Sequence, residues 1–172
     1  MTDITDWLLA SPYFRLMYPR PTLAAPSPKG TRLTNRELTH RIIAAAIKIH
    51  RRLGPGLLES AYEACMAYEL TSAGLEVSRQ KPVPLIYDSV KLDCGFRADL
   101  VVDGRIAVEL KCKEALHPVD HAQLLSHLRL LGLQVGLLIN FHVLVLKDGV
   151  TRIVNNYQED RIVEIPPQAA QL

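Results

Sequence analysis

The chain has 172 residues, enough for one domain with its own core and short for several. Hydrophobic residues make up 48% and charged residues 22%, the balance of a soluble globular protein, and no apolar run approaches the ~18 residues that a membrane span needs. A net charge of +2 permits a nucleic-acid partner without arguing for one, and three scattered cysteines (Cys65, Cys94, Cys112) with no C-x-x-C pair and no signal peptide before them point to a reduced, cytoplasmic setting.

Residues 1–32 differ in character from the rest of the chain. Pro12, Pro19, Pro21, Pro26 and Pro28 break any long element, while Trp7-Leu8-Leu9 and Tyr13 to Tyr18 suggest short pieces that dock on a body. Asp3 and Asp6 sit where a secretory leader carries basic residues. The expected organisation is a loosely ordered extension over 1–32, a domain over 33–165 and a tail over 166–172.

The first firm helix starts at Thr34. Thr34-x-x-Glu37 is a capping box, Leu33 and Leu38 are placed as a hydrophobic staple, and Ile42, Ala45, Ala46, Ile49 and Leu53 form an apolar stripe. Arg41, Lys48 and Arg52 share the opposite side, as a solvated face or a phosphate-contacting one. Gly54-Pro55-Gly56 stops the chain, and a second helix is expected from Leu57 to Ala73, ended by Gly74. Strands come next over Leu75–Arg79, Val83–Tyr87 and from Lys91–Asp93 towards Val102, with Pro82 and Pro84 marking an edge. After the strand that carries Glu109, a third helix opens at Pro118 and closes at Gly132. Val135–Phe141 reads as a buried strand, and Val143–Leu146 and Val150–Val154 flank the hairpin signal Asp148-Gly149.

The chemistry concentrates on Asp99 and on Glu109-Leu110-Lys111. A charged Glu-x-Lys inside Ile106-Ala107-Val108-Glu109-Leu110-Lys111-Cys112 is costly unless it is paired or holds a metal. Two carboxylates suit a hard divalent cation, and a lysine beside it can position or deprotonate a water. Strand alternation puts Glu109 and Lys111 on one face, with Val108, Leu110 and Cys112 on the other. A two-residue turn at Asp103-Gly104 would set Asp99 opposite Val108, on the wrong face. A three-residue loop, Val102-Asp103-Gly104, or an equivalent bulge nearby, brings Asp99 to the face of Glu109. His117 and His121 are also four apart, a metal-pair spacing that lacks a third ligand.

Gly56-Leu57-Leu58-Glu59-Ser60-Ala61-Tyr62 fits Gly-x-x-Glu-x-x-Tyr. With Ile49 to Pro55, Arg79-Gln80, Asp93 to Asp99, Val108 to Lys111 and Gln123-Leu124-Leu125, it resembles the bacterial GxxExxY proteins of the PD-(D/E)xK nuclease-like superfamily, from about Leu33 to Ile165. The resemblance implies an α/β (mixed α+β), restriction-endonuclease-like core: a central mixed sheet flanked by helices. It implies that Asp99, Glu109 and the backbone carbonyl of Leu110 hold Mg²⁺ or Mn²⁺. Lys111 would orient the attacking water and steady the developing phosphorane-like charge. Glu59 would be an additional acid, with Tyr62 packing under it or bonding it from the same helix face. Nuclease relatives often carry Gln-x-x-x-Tyr on a nearby helix. Here Gln123 is present, but His127 stands in the tyrosine's place, as a phosphate contact, a proton carrier or a surface histidine.

Two functions fit this reading. One is a metal-dependent nuclease cutting DNA, with RNA as the lesser alternative. The other is a non-catalytic module of the same fold that binds nucleic acid or a protein partner. A domain of this size offers only a shallow cleft unless it forms a homodimer.

Overall fold

The computed structural model describes residues 33–92 and 96–156. The expected extension over 1–32, the Asp93–Gly95 part of the expected third strand, Cys94 and the tail lie outside the described residues.

Helix α1 spans Asn35–Leu53 and starts as its sequence dictates. The Thr34 hydroxyl accepts from the Glu37 amide at 3.2 Å and the Glu37 carboxylate accepts from the Thr34 amide at 2.8 Å, so the capping box is closed in both directions. Helix α2 spans Glu59–Ser72, starting two residues later than the apolar pattern suggests. Lys48 leaves the solvated face of α1 to pair with Glu69 of α2 at 2.6 Å.

Five strands form one sheet: β1 (Val77–Pro82), β4 (Arg97–Val102), β5 (Ile106–Lys111), β6 (Val135–Asn140) and β7 (Val150–Val154), side by side in that order. All neighbours are antiparallel except β5 and β6, which are parallel and joined through helix α3 (Pro118–Leu131). Strands β2 (Leu85–Tyr87) and β3 (Val90–Leu92) form a separate two-stranded ribbon between β1 and β4 in the chain. Composition suggests a longer strand from Val83, but Pro82 and Pro84 remove two ladder donors and break the run there.

The sheet is covered on both faces. α1 and α2 pack on one side, where Leu38, Ile42, Ile49, Met66 and Leu70 meet Leu100, Val108, Leu110, Leu137 and Ile139. α3 covers the other side, where Leu124 and Leu128 meet Ala107 and Leu138. Burial on both faces explains why β5 and β6 read as nearly continuous apolar runs. It also makes Glu109, buried on the α3 side of β5, an expensive residue to keep.

Two local expectations need correction. The β4–β5 loop is three residues long, as the shared-face argument required, but it is Asp103-Gly104-Arg105. Val102 pairs with Ile106 and Val101 with Ala107, and the pairing ends at Leu100 with Val108, one step short of Asp99 and Glu109. Asp103 and Gly104 both take positive φ (49° and 64°), and the Asp103 carboxylate accepts from the Glu76 amide at 2.8 Å, which offsets the strain of a left-handed aspartate. Second, Val143–Leu146 is not a strand. Leu146–Gly149 curls into a 3₁₀ turn instead. A side chain at Gly149 would come within 2.2 Å of the Asn140 carbonyl oxygen, so the chain here presses its backbone against the end of β6 rather than pairing as a hairpin.

Candidate active site

Beyond Val108 the β4–β5 ladder opens. The amide of Leu110 donates to the Asp99 carboxylate (Oδ2) at 2.8 Å, so a side chain takes the acceptor's place. On its other flank Asp99 should pair with Gln80, but that residue is left-handed (φ 46°) and its pair is missing between Arg79–Leu100 and Lys81–Ala98. The Gln80 side-chain amide instead bridges two carboxylates, Glu63 at 2.7 Å and Asp99 at 3.3 Å. Arg79 holds the other oxygen of Glu63 at 2.9 Å. Burial, and then the charge of Glu109, push the Asp99 carboxyl up to about 6 against the hydrogen bond from Leu110 and the attraction of Lys111.

Glu109 lies on the α3 side in a polar network. Its Oε1 accepts from Lys111 Nζ at 2.8 Å and from Gln123 Nε2 at 2.8 Å. Its Oε2 lies 3.5 Å from His127 Nδ1, too long for a hydrogen bond, and both atoms are buried without a hydrogen-bond partner among the described residues. Burial works against ionising Glu109, but His127 and Lys111 outweigh it and hold the carboxyl below its ordinary range. Burial likewise works against the Lys111 ammonium, but Glu109, Glu59 and Asp99 raise it. Lys111 is therefore held as an ammonium.

Glu59 reaches β5 from the start of α2, where its carboxylate accepts from the Cys112 amide at 3.2 Å. Its carboxylate makes no hydrogen bond to Tyr62. Tyr62 is fully buried, stacks on Phe141 with ring centres 4.1 Å apart, donates to the Gly54 carbonyl at 2.5 Å and accepts from the Leu57 amide at 3.3 Å. It ties down the Gly54–Leu58 loop rather than Glu59. His121 turns its ring to the His117 carbonyl at 3.2 Å, and no group of three or more metal-type side chains is arranged as a ligand set among the described residues.

A cleft of about 710 Å³ opens over these elements, lined by Gly56–Ser60, Glu63, Gln80, Asp99, Leu110, Cys112 and His142. Asp99, Glu59 and Leu110 face it directly, while Glu109, Lys111, Gln123 and His127 form the adjoining network. Burial, and then the charge of Glu59, push the Cys112 thiol up to about 11, which excludes a thiolate nucleophile at neutral pH. Sequence reasoning missed Glu63 and His142, and it noted Gln80 only as part of a motif. The Glu59/Glu63 spacing of one helical turn was a usable signal for the first. Nothing local marks His142.

A mixed sheet between helices, with Asp99 and Glu-x-Lys meeting where adjacent strands part, defines a nuclease-type α/β domain. The chain belongs to the PD-(D/E)XK nuclease superfamily: the family model matches residues 36–153, all but the first residue of α1 and the last of β7 among the described elements. No curated protein and no solved structure matches the chain. No helix among the described residues is long and apolar enough to cross a membrane.

Proposed function

We propose that this chain is a divalent-metal-dependent nuclease that hydrolyses phosphodiester bonds of DNA. The observation that carries the proposal is an excess of carboxylate where β4 and β5 part: half-buried Asp99, whose ionisation is opposed by burial and then by Glu109, and a Glu109 oxygen with no hydrogen-bond partner among the described residues. Oxygen donors alone, few in number and beside an open cleft, fit Mg²⁺ or Mn²⁺, which keep several waters and need only one or two carboxylates. Asp99, Glu109 and the Leu110 carbonyl are the groups that would hold the ion. Once bound, it would supply Lewis acidity at the phosphoryl oxygens and acidify a water.

The protein's own groups support the rest of the reading. Gln80 and the Leu110 amide fix the Asp99 carboxylate. Gln123 and His127 brace Glu109 from α3, and Lys111 offers positive charge to an attacking water and to the phosphoryl oxygens. Glu59 stands at the rim as an additional acid. Gly56, Glu59 and Tyr62 support membership of the bacterial GxxExxY group within the superfamily, acting in the cytoplasm. A homodimer would extend the cleft along a longer nucleic acid, and the domain would run over 33–165.

Calorimetric titration of Mg²⁺ and Mn²⁺, with and without a short DNA duplex, tests the proposal on the parent and on Asp99→Ala/Glu109→Ala. Binding lost in the variant, together with metal-dependent cutting of DNA in preference to RNA, is the expected result. One observation favours the alternative of a binding-only module: Lys111 and Gln123 already engage Glu109. Salt-sensitive DNA binding with no metal uptake and no cleavage would decide for it.

A further inference from the structure

The roles above leave the cleft without a donor for the departing oxygen. Among its described lining side chains Glu59, Glu63 and Asp99 are acids, and His142 is the one imidazole, the side chain type suited to general acid work. Lys111 is turned into its ion pair with Glu109. A scissile ester in this cleft would otherwise expel an alkoxide beside three acids.

The backbone under His142 is anchored for such a task. The residue lies two positions beyond the end of β6. Its amide donates to the Asn140 side-chain oxygen at 3.2 Å, and buried Asn140 in turn clamps Lys113 by accepting from its amide (3.2 Å) and donating to its carbonyl (2.7 Å). Next to it, the Phe141 amide donates to the Lys111 carbonyl at 2.8 Å, stitching this turn to the end of β5. The imidazole itself is exposed and has no hydrogen bond or ion pair to any described residue, so none of the described fold uses it and solvent can reload it.

We propose that His142 is the general acid of the reaction. This rests on the nuclease reading above. In the step, the water oxygen bonds to phosphorus and its proton passes to solvent. The bond from phosphorus to the leaving oxygen breaks, and its electron pair stays on that oxygen, which takes the imidazolium proton of His142. The neutral imidazole regains its proton from water, and no redox partner is involved.

The test uses a short DNA duplex and the same duplex with a bridging sulfur at one phosphodiester, in 3′-thio and 5′-thio forms so that whichever bond is cut is represented. Sulfur leaves without needing a proton. His142→Ala and His142→Gln are each compared with the parent in Mn²⁺. Expected is a loss of ~100-fold or more on the oxygen ester for both variants, in the range of general acid catalysis, and a loss below about 3-fold on the sulfur ester. Equal losses on both esters, or full rescue by glutamine, would overturn the assignment and leave His142 a phosphate contact. No loss at all would make it a solvated surface residue. A parent that cuts neither duplex would overturn the nuclease reading itself, and this assignment with it.

Discussion

Asp99→Asn separates the cost of the candidate site from its use. In metal-free buffer the folded protein holds the Asp99 proton more tightly than the unfolded chain does, because burial and Glu109 oppose its charge. Stability from this group is therefore full below about pH 4 and is lost as the pH rises through about 6. A displacement of about two pH units is worth about 3 kcal/mol, and partial exposure of the side chain trims this to about 2 kcal/mol. Asparagine keeps an acceptor for the Leu110 amide and gives up only the longer of the two bonds from the Gln80 amide, which keeps its bond to Glu63. Urea unfolding in EDTA should show the variant about 2 kcal/mol more stable than the parent at about pH 7.5 and nearly equal to it at about pH 3. Added Mg²⁺ should reverse the order, since only the parent gains from binding. A variant less stable than the parent at both pH values, or a gap that does not change with pH, would refute the account of Asp99 as a carboxylate strained by its neighbours.

Lys111→Ala should abolish cleavage in a gel assay while the chain stays folded by circular dichroism, and it should raise the Glu109 pKa in a carbon-13 NMR titration, since a major compensating charge is gone. Tyr62→Phe should cost about 2 kcal/mol in urea unfolding by leaving the Gly54 carbonyl and the Leu57 amide without their partner. Asn140→Ala should cost about 3 kcal/mol, because one buried side chain serves three backbone groups. Gly149→Ala should cost more than about 2 kcal/mol and disturb the end of β6, because the contact it meets is backbone and cannot move aside.

Much of this architecture is written in short-range patterns. The Thr34 capping box, Pro118 opening α3 and left-handed Gly132 closing it are local signals, and each stands where the sequence puts it. Parity called for a three-residue β4–β5 loop, and the loop has that length, one residue further on. What was not legible depended on contacts distant in sequence. Tyr62 could have bonded Glu59 on its own helix. It turned to the preceding loop because stacking on Phe141, which arrives from the end of β6, decides where its hydroxyl points. Val143–Leu146 has the composition of a strand, yet the close approach of Gly149 to Asn140 and the bond from His50 of α1 to the Val143 carbonyl (2.8 Å) bend it away. No pattern along the chain marks Gln80 as left-handed, because its reason is the two carboxylates it bridges.

The Tyr62 latch has a consequence for the order of assembly. Its hydrogen bonds span only five and eight residues, whereas Glu59 and Cys112, which close the cleft from the other side, are 53 residues apart. Local closures form ahead of distant ones because the loop entropy they cost is smaller. The wall formed by the Gly54–Leu58 loop can thus close within the α1–α2 hairpin, and Phe141 locks it when the end of β6 arrives. Asp99 and Glu109 also stand on strands joined by a three-residue loop, so the wall and the acidic floor are each local closures, and the bond from Cys112 to Glu59 is the long-range one that brings them together.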